Sequence, residues 1–592
     1  MLKPAENRLN YSDLLMPPPG YDVEFAIGTT YSLDLEALVG VPLALSLSEE
    51  MDHTLQDVPI YVLEGLRRSV DAFAIFCEAG QIKSPKNGNN LFALMENSVF
   101  EVALENDYSF HPKVWVIKYR DKNRNEIYRV LVLSRNLTFD RSWDMAIALE
   151  GKKIKGKNPR NRPLSDFLSF LIPYTKNKQK KKQIKRLIAE LEFVQFDTVD
   201  SSIPEVEFCP IGIEGYGKAE TELFETYHKL IIISPFLSET IIKELHDKSL
   251  KDATKVLITR KTELSKLKEH VFQDFDVYVL KDNVVEGEAS ISEENAENVM
   301  PQFQDIHAKL YGRTKYNQHH IYIGSANSSS NAFNGNIEFL LKLHYQKYGF
   351  KIMDLLDDLF GENEDQNPFE KIETLPPLNE EFESDLTDEL QKRIKELCRI
   401  PSKAMILIEE NHFSMRITFD SLPEDIEFSI GPLLSKNMQP LKQETFIQNL
   451  SMLELGEFYN IRAEKDGEKV ERIIKIDTEG IPKERESEIF RSIINDPYTF
   501  LKYVAFLLSD DLLLSALEES QNKKFGAGNW DMITGDYPVL YENMLKAASR
   551  SPEKLKEVET IMDIITHDED IIPKEFHALY QTFNKAAKKV RR

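Results

Sequence analysis

The sequence predicts an α/β protein with a duplicated core, followed by a small antiparallel β domain and a helical C-terminal domain. Three observations carry this. A polar signature, His111-Pro-Lys113 with Ser134-Arg-Asn136, returns as His307-Ala-Lys309 with Ser325-Ala-Asn327. Each copy is preceded by similar apolar strand material that alternates with helical stretches. Beyond the second copy the apolar pattern changes to strand-rich and then to helical spacing.

At 592 residues the chain is too long for one core, and at roughly 100 to 200 residues per domain it holds three or four compact units. Residues 25–33 and 230–237 each read as an apolar strand that runs into small polar residues and an aromatic. Buried-type strands follow at 72–76 and 256–259, with helices between, which predicts a parallel or mixed sheet with helices on its faces. Each His-x-Lys opens an apolar strand, and a second strand, 130–133 or 320–323, runs directly into the Ser-x-Asn. The polar groups therefore project from strand ends into a shared cleft. Residues 164–191 are helices with a basic turn that join the halves. The first lobe with this connector is placed at 1–192 and the second at 193–347.

The stretch 361–388 is acidic and carries Pro368, Pro376 and Pro377, so 348–402 is expected to be an exposed linker and a helix. The β domain, 403–478, contains strands at 405–408 and 414–419 and a hairpin whose turn is Asp466-Gly467, between 459–463 and 470–476. From 479 to 592 the pattern is helical, as in Ile489, Phe490, Ile493, Ile494 and then Phe500, Tyr503, Val504, Leu507, Leu508. Its tip is basic: Lys585, Lys588, Lys589, Arg591 and Arg592.

A net charge of -24 disfavours adhesion to nucleic acid or anionic lipid through the whole surface, so a polyanion must be drawn in by a local field. The candidate is 152–186, where Lys and Arg face a lone Asp166 and include Lys176, Lys178, Lys180, Lys181, Lys182, Lys185 and Arg186. Substrate contact and a merely solvated helix are the two readings of that segment. Cys77, Cys209 and Cys398 are far apart with no CxxC, and read as buried, reduced thiols. Residues 1–13 are charged with no apolar run behind them, and the apolar stretch 37–45 is broken by Gly40 and Pro42. Neither a signal peptide nor a bilayer span is expected, and cytoplasmic residence is the expectation. His319 and His320 are read as capping a strand edge rather than binding metal. Trp115 and Tyr119 share one face of a strand, suited to core packing or to stacking on bases. No Walker motif is present, so ATP-driven work would come from a partner.

A His-x-Lys tripeptide alone is uninformative, and His246-Asp-Lys248 is a decoy in a helical stretch with no Ser-x-Asn after it. The other two copies have the full context, and the second continues to Asn336-Ile-Glu338. With these motifs the chain resembles the phospholipase D superfamily, over about residues 20–343, and the second copy is the closer match to its HKD-type motif. The resemblance implies two phospholipase D-like α/β/α lobes with pseudo-twofold symmetry around one active site. The sequence departs from the family in two places. The acid five positions after the lysine is replaced by Lys118 and Thr314, as it is also missing in some nuclease-like and tyrosyl-DNA phosphodiesterase-like branches, which weakens a lipid reading most. Leu133 also precedes Ser134 where Gly324 precedes Ser325, so the half-sites are expected to differ.

The chemistry follows from the residue types. A neutral imidazole attacks phosphorus to form a covalent phosphohistidine, which splits one displacement into two. The opposite, protonated imidazole gives its proton to the leaving oxygen and then activates water. Lys113, Lys309, Asn136 and Asn327 hold the nonbridging oxygens where charge grows, and no metal or other cofactor is called for. By resemblance His111 is the nucleophile and His307 the acid/base, or the reverse. Asp144 and Glu338 orient the imidazoles across the cleft, and Ser134 and Ser325 tune the site from behind. The expected activity is metal-independent cleavage of nucleic acid, chiefly DNA. The alternatives are a phospholipase or phosphatidyl transferase, for which no apolar interfacial element is found, and a noncatalytic nucleic-acid-binding scaffold. Analogy alone suggests a component of a prokaryotic restriction or anti-phage defence system beside a helicase or ATPase, with homo-oligomerisation left open.

Overall fold

A computed structural model describes residues 11–46, 59–86, 88–139, 142–197, 201–281, 305–346, 351–361, 367–375, 386–409, 412–508, 538–565 and 570–590. In its first sheet the strands Tyr21–Thr30, Phe73–Glu78 and Val99–Val102 run parallel. On the other side of Tyr21–Thr30 the sheet continues antiparallel through Val114–Asp121, Glu126–Leu133 and Ala146–Lys153, and ends at Val194–Phe196.

The second sheet repeats this plan. Tyr227–Ile233, Ser249–Ile258 and Asp276–Leu280 are parallel, and Leu310–Lys315, Gln318–Gly324 and Glu338–Tyr345 follow antiparallel on the other side. Strand for strand the order and direction are the same in both sheets, so the repeated signature is the trace of a repeated half-structure. The parallel strands are continuous apolar runs because they are covered on both faces, as in Phe73–Glu78, buried along its length. In each half the antiparallel return places the start of the His-x-Lys strand beside the C-terminal end of the first strand, the end where open α/β sheets bind ligands.

One apolar core is shared by the facing sides of both sheets and the helices Arg162–Phe170 and Lys178–Leu191, through residues such as Ile27, Val130, Phe167, Ile184, Ile231 and Phe339. The opposite face of the first sheet packs on the C-terminal helices Arg485–Ile493, Pro497–Leu508, Pro538–Arg550, Pro552–Ile564 and Lys574–Val590. Trp115 and Tyr119 belong to that core: Trp115 donates to the Tyr11 hydroxyl at 2.6 Å and Tyr119 to the Leu15 carbonyl at 2.9 Å. Both are buried, which removes them as base-stacking surfaces. The decoy His246 ends the helix Glu239–Asp247 and pairs with Asp274.

In the β-rich segment the hairpin Phe458–Lys465/Glu468–Lys475 turns through Asp466 and Gly467, both at positive φ, 51° and 86°. Three boundaries differ from the sequence reading. Val194–Phe196 hydrogen-bonds to Lys153–Gly151, so the first lobe runs past 192 to its closing edge strand. The expected linker is interrupted by Phe369–Lys371, which pairs with Asp276–Leu280 and buries Phe369, so the second lobe reaches beyond 347. An otherwise open edge of backbone donors and acceptors is satisfied this way. The β domain is also not separate, because Glu468–Lys475 pairs with Ile82–Lys83 of the first lobe. The rest of the proline-bearing stretch around Pro376 and Pro377 and the terminal Arg591 and Arg592 lie outside the described residues. Among the described residues no helix is long and apolar enough to cross a membrane.

Candidate active site

The first strand of each half ends in a hydroxyl that clamps the Ser-x-Asn loop. Thr30 Oγ1 accepts the Leu137 N–H at 3.0 Å, and Ser234 Oγ accepts the Ser328 N–H at 2.9 Å. Asn136 is held through its carbonyl oxygen, which accepts the Tyr31 N–H at 3.3 Å, so its amide nitrogen remains the donor end. The corresponding Asn327 Oδ1 is buried and accepts no hydrogen bond from any described residue.

The residue before each histidine pairs with the residue before the carboxylate of the other lobe. Phe110 bridges to Ile337, and Asp305–Ile306 runs parallel to Ser142–Trp143. The His111 N–H then donates to the Ile337 carbonyl at 2.9 Å and the His307 N–H to the Trp143 carbonyl at 3.0 Å. This register brings His111 Nδ1 to 2.9 Å from Glu338 Oε2, and His307 Nδ1 to 3.6 Å from Asp144 Oδ1. Each acid thus faces the imidazole of the opposite half. A carboxylate at Nδ1 assigns the proton there and leaves the lone pair on Nε2.

The carboxylates are fixed from behind. Ser325 Oγ donates to Glu338 Oε2 at 2.5 Å and accepts the Phe339 N–H at 3.0 Å. Ser134 Oγ donates to Asp144 Oδ1 at 2.9 Å and accepts the Met145 N–H at 2.9 Å, and Ser142 Oγ makes a short bond to Asp144 Oδ2. Lys113 Nζ donates to the His111 carbonyl at 2.8 Å, and Lys309 Nζ to the His307 carbonyl at 2.7 Å and across to the Ser134 carbonyl at 3.5 Å. Both lysines are buried.

The electrostatics describe a site built for an anion. Burial first, then the neighbouring ammonium groups, outweigh the carboxylates and push His111 and His307 down from 6.5 to about 4. Burial and Lys309 take Lys113 well below its ordinary value, and burial takes Lys309 down to about 8. Burial works to raise Asp144, but His307 and Ser142 hold it down, to about 2. Both imidazoles are neutral at pH 7, as a nucleophile requires. A phosphodiester anion between the lysines draws protons back onto the site.

A pH dependence of stability follows. Folded, the two imidazoles bind fewer protons than they do unfolded between pH 6.5 and about 4. Their contribution is complete above the unfolded value and is lost as pH falls through that window. The melting temperature is expected to drop from pH 6.5 to 4 more steeply for the native chain than for His111→Gln/His307→Gln. Equal slopes would place both rings in water.

No family model matches the sequence, and no curated protein matches it. Solved structures do. The yeast tyrosyl-DNA phosphodiesterase is 12% identical, over 58% of this chain and 88% of that one, with a TM-score of 0.36. A phosphatidylserine synthase from Haemophilus influenzae is 10% identical, over 65% and 93%, with a TM-score of 0.34. A polyphosphate kinase from Porphyromonas gingivalis is 12% identical, over 56% and 41%, with a TM-score of 0.31. The two signatures, converged on one site, are what decide the likeness. The chain resembles the phospholipase D superfamily.

The positions at which it departs from the HKD pattern are structural. Lys118, buried, pairs with Glu24, Glu126 and Glu190 at 3.1, 2.9 and 2.6 Å, and Thr314 Oγ1 lies 2.9 Å from His319 Nδ1. The basic segment is not part of the phospholipase D-like site. Lys180 is buried and donates to the Val70 and Phe73 carbonyls at 2.7 and 2.5 Å and to Ser98 Oγ at 2.6 Å. Phe73 begins its strand, whereas the histidines gather beyond the other end of it. The helix carrying Lys178, Lys180, Lys181, Lys182, Lys185 and Arg186 therefore lies at the end of the first sheet away from the site. Lys176 pairs with Asp477 at 2.8 Å, and Arg186 with Glu24 and Glu190 at 3.3 and 3.1 Å. A helix that looks like a cationic strip in sequence spends its central lysine on stapling itself to the sheet.

The sequence reading gave no site role to three residues that the fold places there. The Tyr31 ring lies against His111, with centroids 5.1 Å apart. Arg260 donates to the Ile306 carbonyl at 3.0 and 2.9 Å, one residue before His307. Asn336 Oδ1 accepts the Ser109 N–H at 2.9 Å, two residues before His111. Tyr31 and Arg260 each follow a strand that feeds the cleft, and that position is the only signal they carry.

Proposed function

We propose that the chain is a metal-independent phosphodiesterase that cleaves nucleic acid, with two pseudo-twofold lobes sharing one active site. The observation that carries this reading is the reciprocal pairing of each imidazole with the carboxylate of the other half. His111 Nε2 attacks phosphorus, a P–N bond forms and the P–O bond to the leaving group breaks. His307, protonated when the anion is bound, gives its proton to the leaving oxygen. Water then gives a proton to His307 as its oxygen attacks phosphorus, and the P–N bond breaks to restore His111. Lys113, Lys309, Asn136 and Asn327 neutralise the nonbridging oxygens, so the cationic part that a metal would play belongs to two buried ammonium groups.

A nucleic acid is favoured over a lipid by an exposed aromatic stacked on Arg260, the residue that holds the Ile306 carbonyl before His307. Phe236 is 40% exposed, and the Arg260 guanidinium sits over its ring at 4.7 Å, a pairing suited to a nucleobase. The resemblance extends the reading to a component of a prokaryotic restriction or anti-phage defence system, working beside a helicase or ATPase. The test is a digest of labelled single- and double-stranded DNA and RNA with and without EDTA. Undiminished DNA cleavage in chelator is expected, and loss of cleavage on chelation would refute the reading.

A further inference from the structure

The two histidine straps are supported differently. In the second half the strap before His307 is held by the half's own Arg260, which also pairs with Asp305 at 3.0 Å. In the first half the corresponding strand ends at Glu78, which is fully buried. Glu78 Oε2 accepts the Phe110 N–H at 2.6 Å, the residue directly before His111. Its other oxygen is met at 2.6 Å by Lys395, whose ammonium also donates to the Tyr108 carbonyl at 2.5 Å and to Ser109 Oγ at 3.0 Å.

Lys395 belongs to neither lobe. It lies on the helix Leu386–Arg399, whose Leu390, Ile394 and Leu397 are buried in the core of the β domain. That helix presses on Gly80, where an added Cβ would come within 3.2 Å of Ile394. On its far side the same strap is pinned to the second lobe, since the Ile337 N–H donates to the Ser109 carbonyl at 3.0 Å and His111 N–H donates back to Ile337. Close approach there is possible because residue 335 is glycine: a Cβ would fall 1.9 Å from the Tyr108 ring.

We infer that Lys395, with Glu78, is a positioning residue for His111, lent to the active site by the β domain. Its ammonium ties two points of the strap directly, Tyr108 and Ser109, and a third, Phe110, through Glu78, so the ring that attacks phosphorus is aimed by a helix outside the catalytic lobes. The β domain is then a working part of the first half-site, and a partner that shifts the helix would act on His111 while leaving the Arg260-held His307 in place.

The inference rests on His111 as a reacting group, and the experiment separates the two claims. The full chain, in excess over bis(p-nitrophenyl) phosphate, gives a single-turnover rate constant that does not depend on how much of the preparation is folded. Lys395→Met leaves a buried carboxylate unpaired, so the neutral pair Glu78→Gln/Lys395→Met, which keeps an acceptor for the Phe110 N–H, is the second variant. Both are expected to lose about 10- to 100-fold in this rate constant, as small misplacements of a reacting group do, with KM within about twofold of the native value. Lys395→Arg is expected to recover part of the rate. A neutral-pair rate constant within about twofold of native, in a chain where His111→Ala is inactive, would overturn the inference alone. An active His111→Ala would overturn the site reading and the inference with it.

Discussion

His111→Ala and His307→Ala are each expected to lower phosphodiester cleavage by about 10⁴-fold or more, because each removes a member of a unit that acts together. The two losses differ in kind. With a poor leaving group, such as a nucleoside oxygen, both variants are dead. With p-nitrophenolate, which leaves without a proton, His307→Ala still forms the phosphohistidine but cannot activate water. It is expected to release one equivalent of nitrophenolate in a burst and then stall, with phosphate held on His111. His111→Ala releases none. The opposite pattern would exchange the two roles, and native-like turnover in both would show that the imidazoles do not act on phosphorus.

Glu338→Gln is expected to cost about 10² to 10³ in kcat with little change in KM. The Glu338 side chain is fully buried and is held by Ser325 and paired with His111 Nδ1. It fixes the tautomer that bares Nε2 and stabilises the positive charge the ring acquires once it bonds to phosphorus. Glutamine keeps the volume and an oxygen for Ser325, but loses the charge, so the ground state binds substrate while the covalent step slows. Asp144→Asn, opposite the more distant His307, is expected to cost less on activated esters, where the acid is not needed for the first step. Both variants are read by steady-state and burst kinetics on the same substrate. A larger loss in Asp144→Asn than in Glu338→Gln on p-nitrophenyl esters would assign the nucleophile to the second half.

The strands of each half and the positions of the repeated polar residues were legible because each depends on local pattern. The apolar parts of 25–33, 72–76, 230–237 and 256–259 lie in the strands Tyr21–Thr30, Phe73–Glu78, Tyr227–Ile233 and Ser249–Ile258. The hairpin at Asp466-Gly467 forms because both residues accept positive φ. His111, Lys113, His307 and Lys309 stand at strand entrances and Ser134, Asn136, Ser325 and Asn327 at strand exits, and a repeated topology brings such positions together. Within the basic run the fold gives one lysine a structural role that its sequence does not announce. Lys180 and Lys182 look alike in a charge count, but only Lys180 lies at the helix position that faces the sheet, where its ammonium finds two carbonyls and a hydroxyl.

What the order of amino acids determined is the repeat and the strand ends at which its polar residues stand, since those are properties of short segments and their spacing, while the pairing of acid with imidazole was implied there by family resemblance alone. What only folding settled is which groups those segments lean on. Glu78 and Lys395 are over three hundred residues apart, Arg260 and Phe236 meet across a strand end, and Phe369 closes an edge from what reads as a linker. Such contacts arise when buried charges and open backbone edges seek partners wherever the chain happens to pass, and no local pattern encodes where that is.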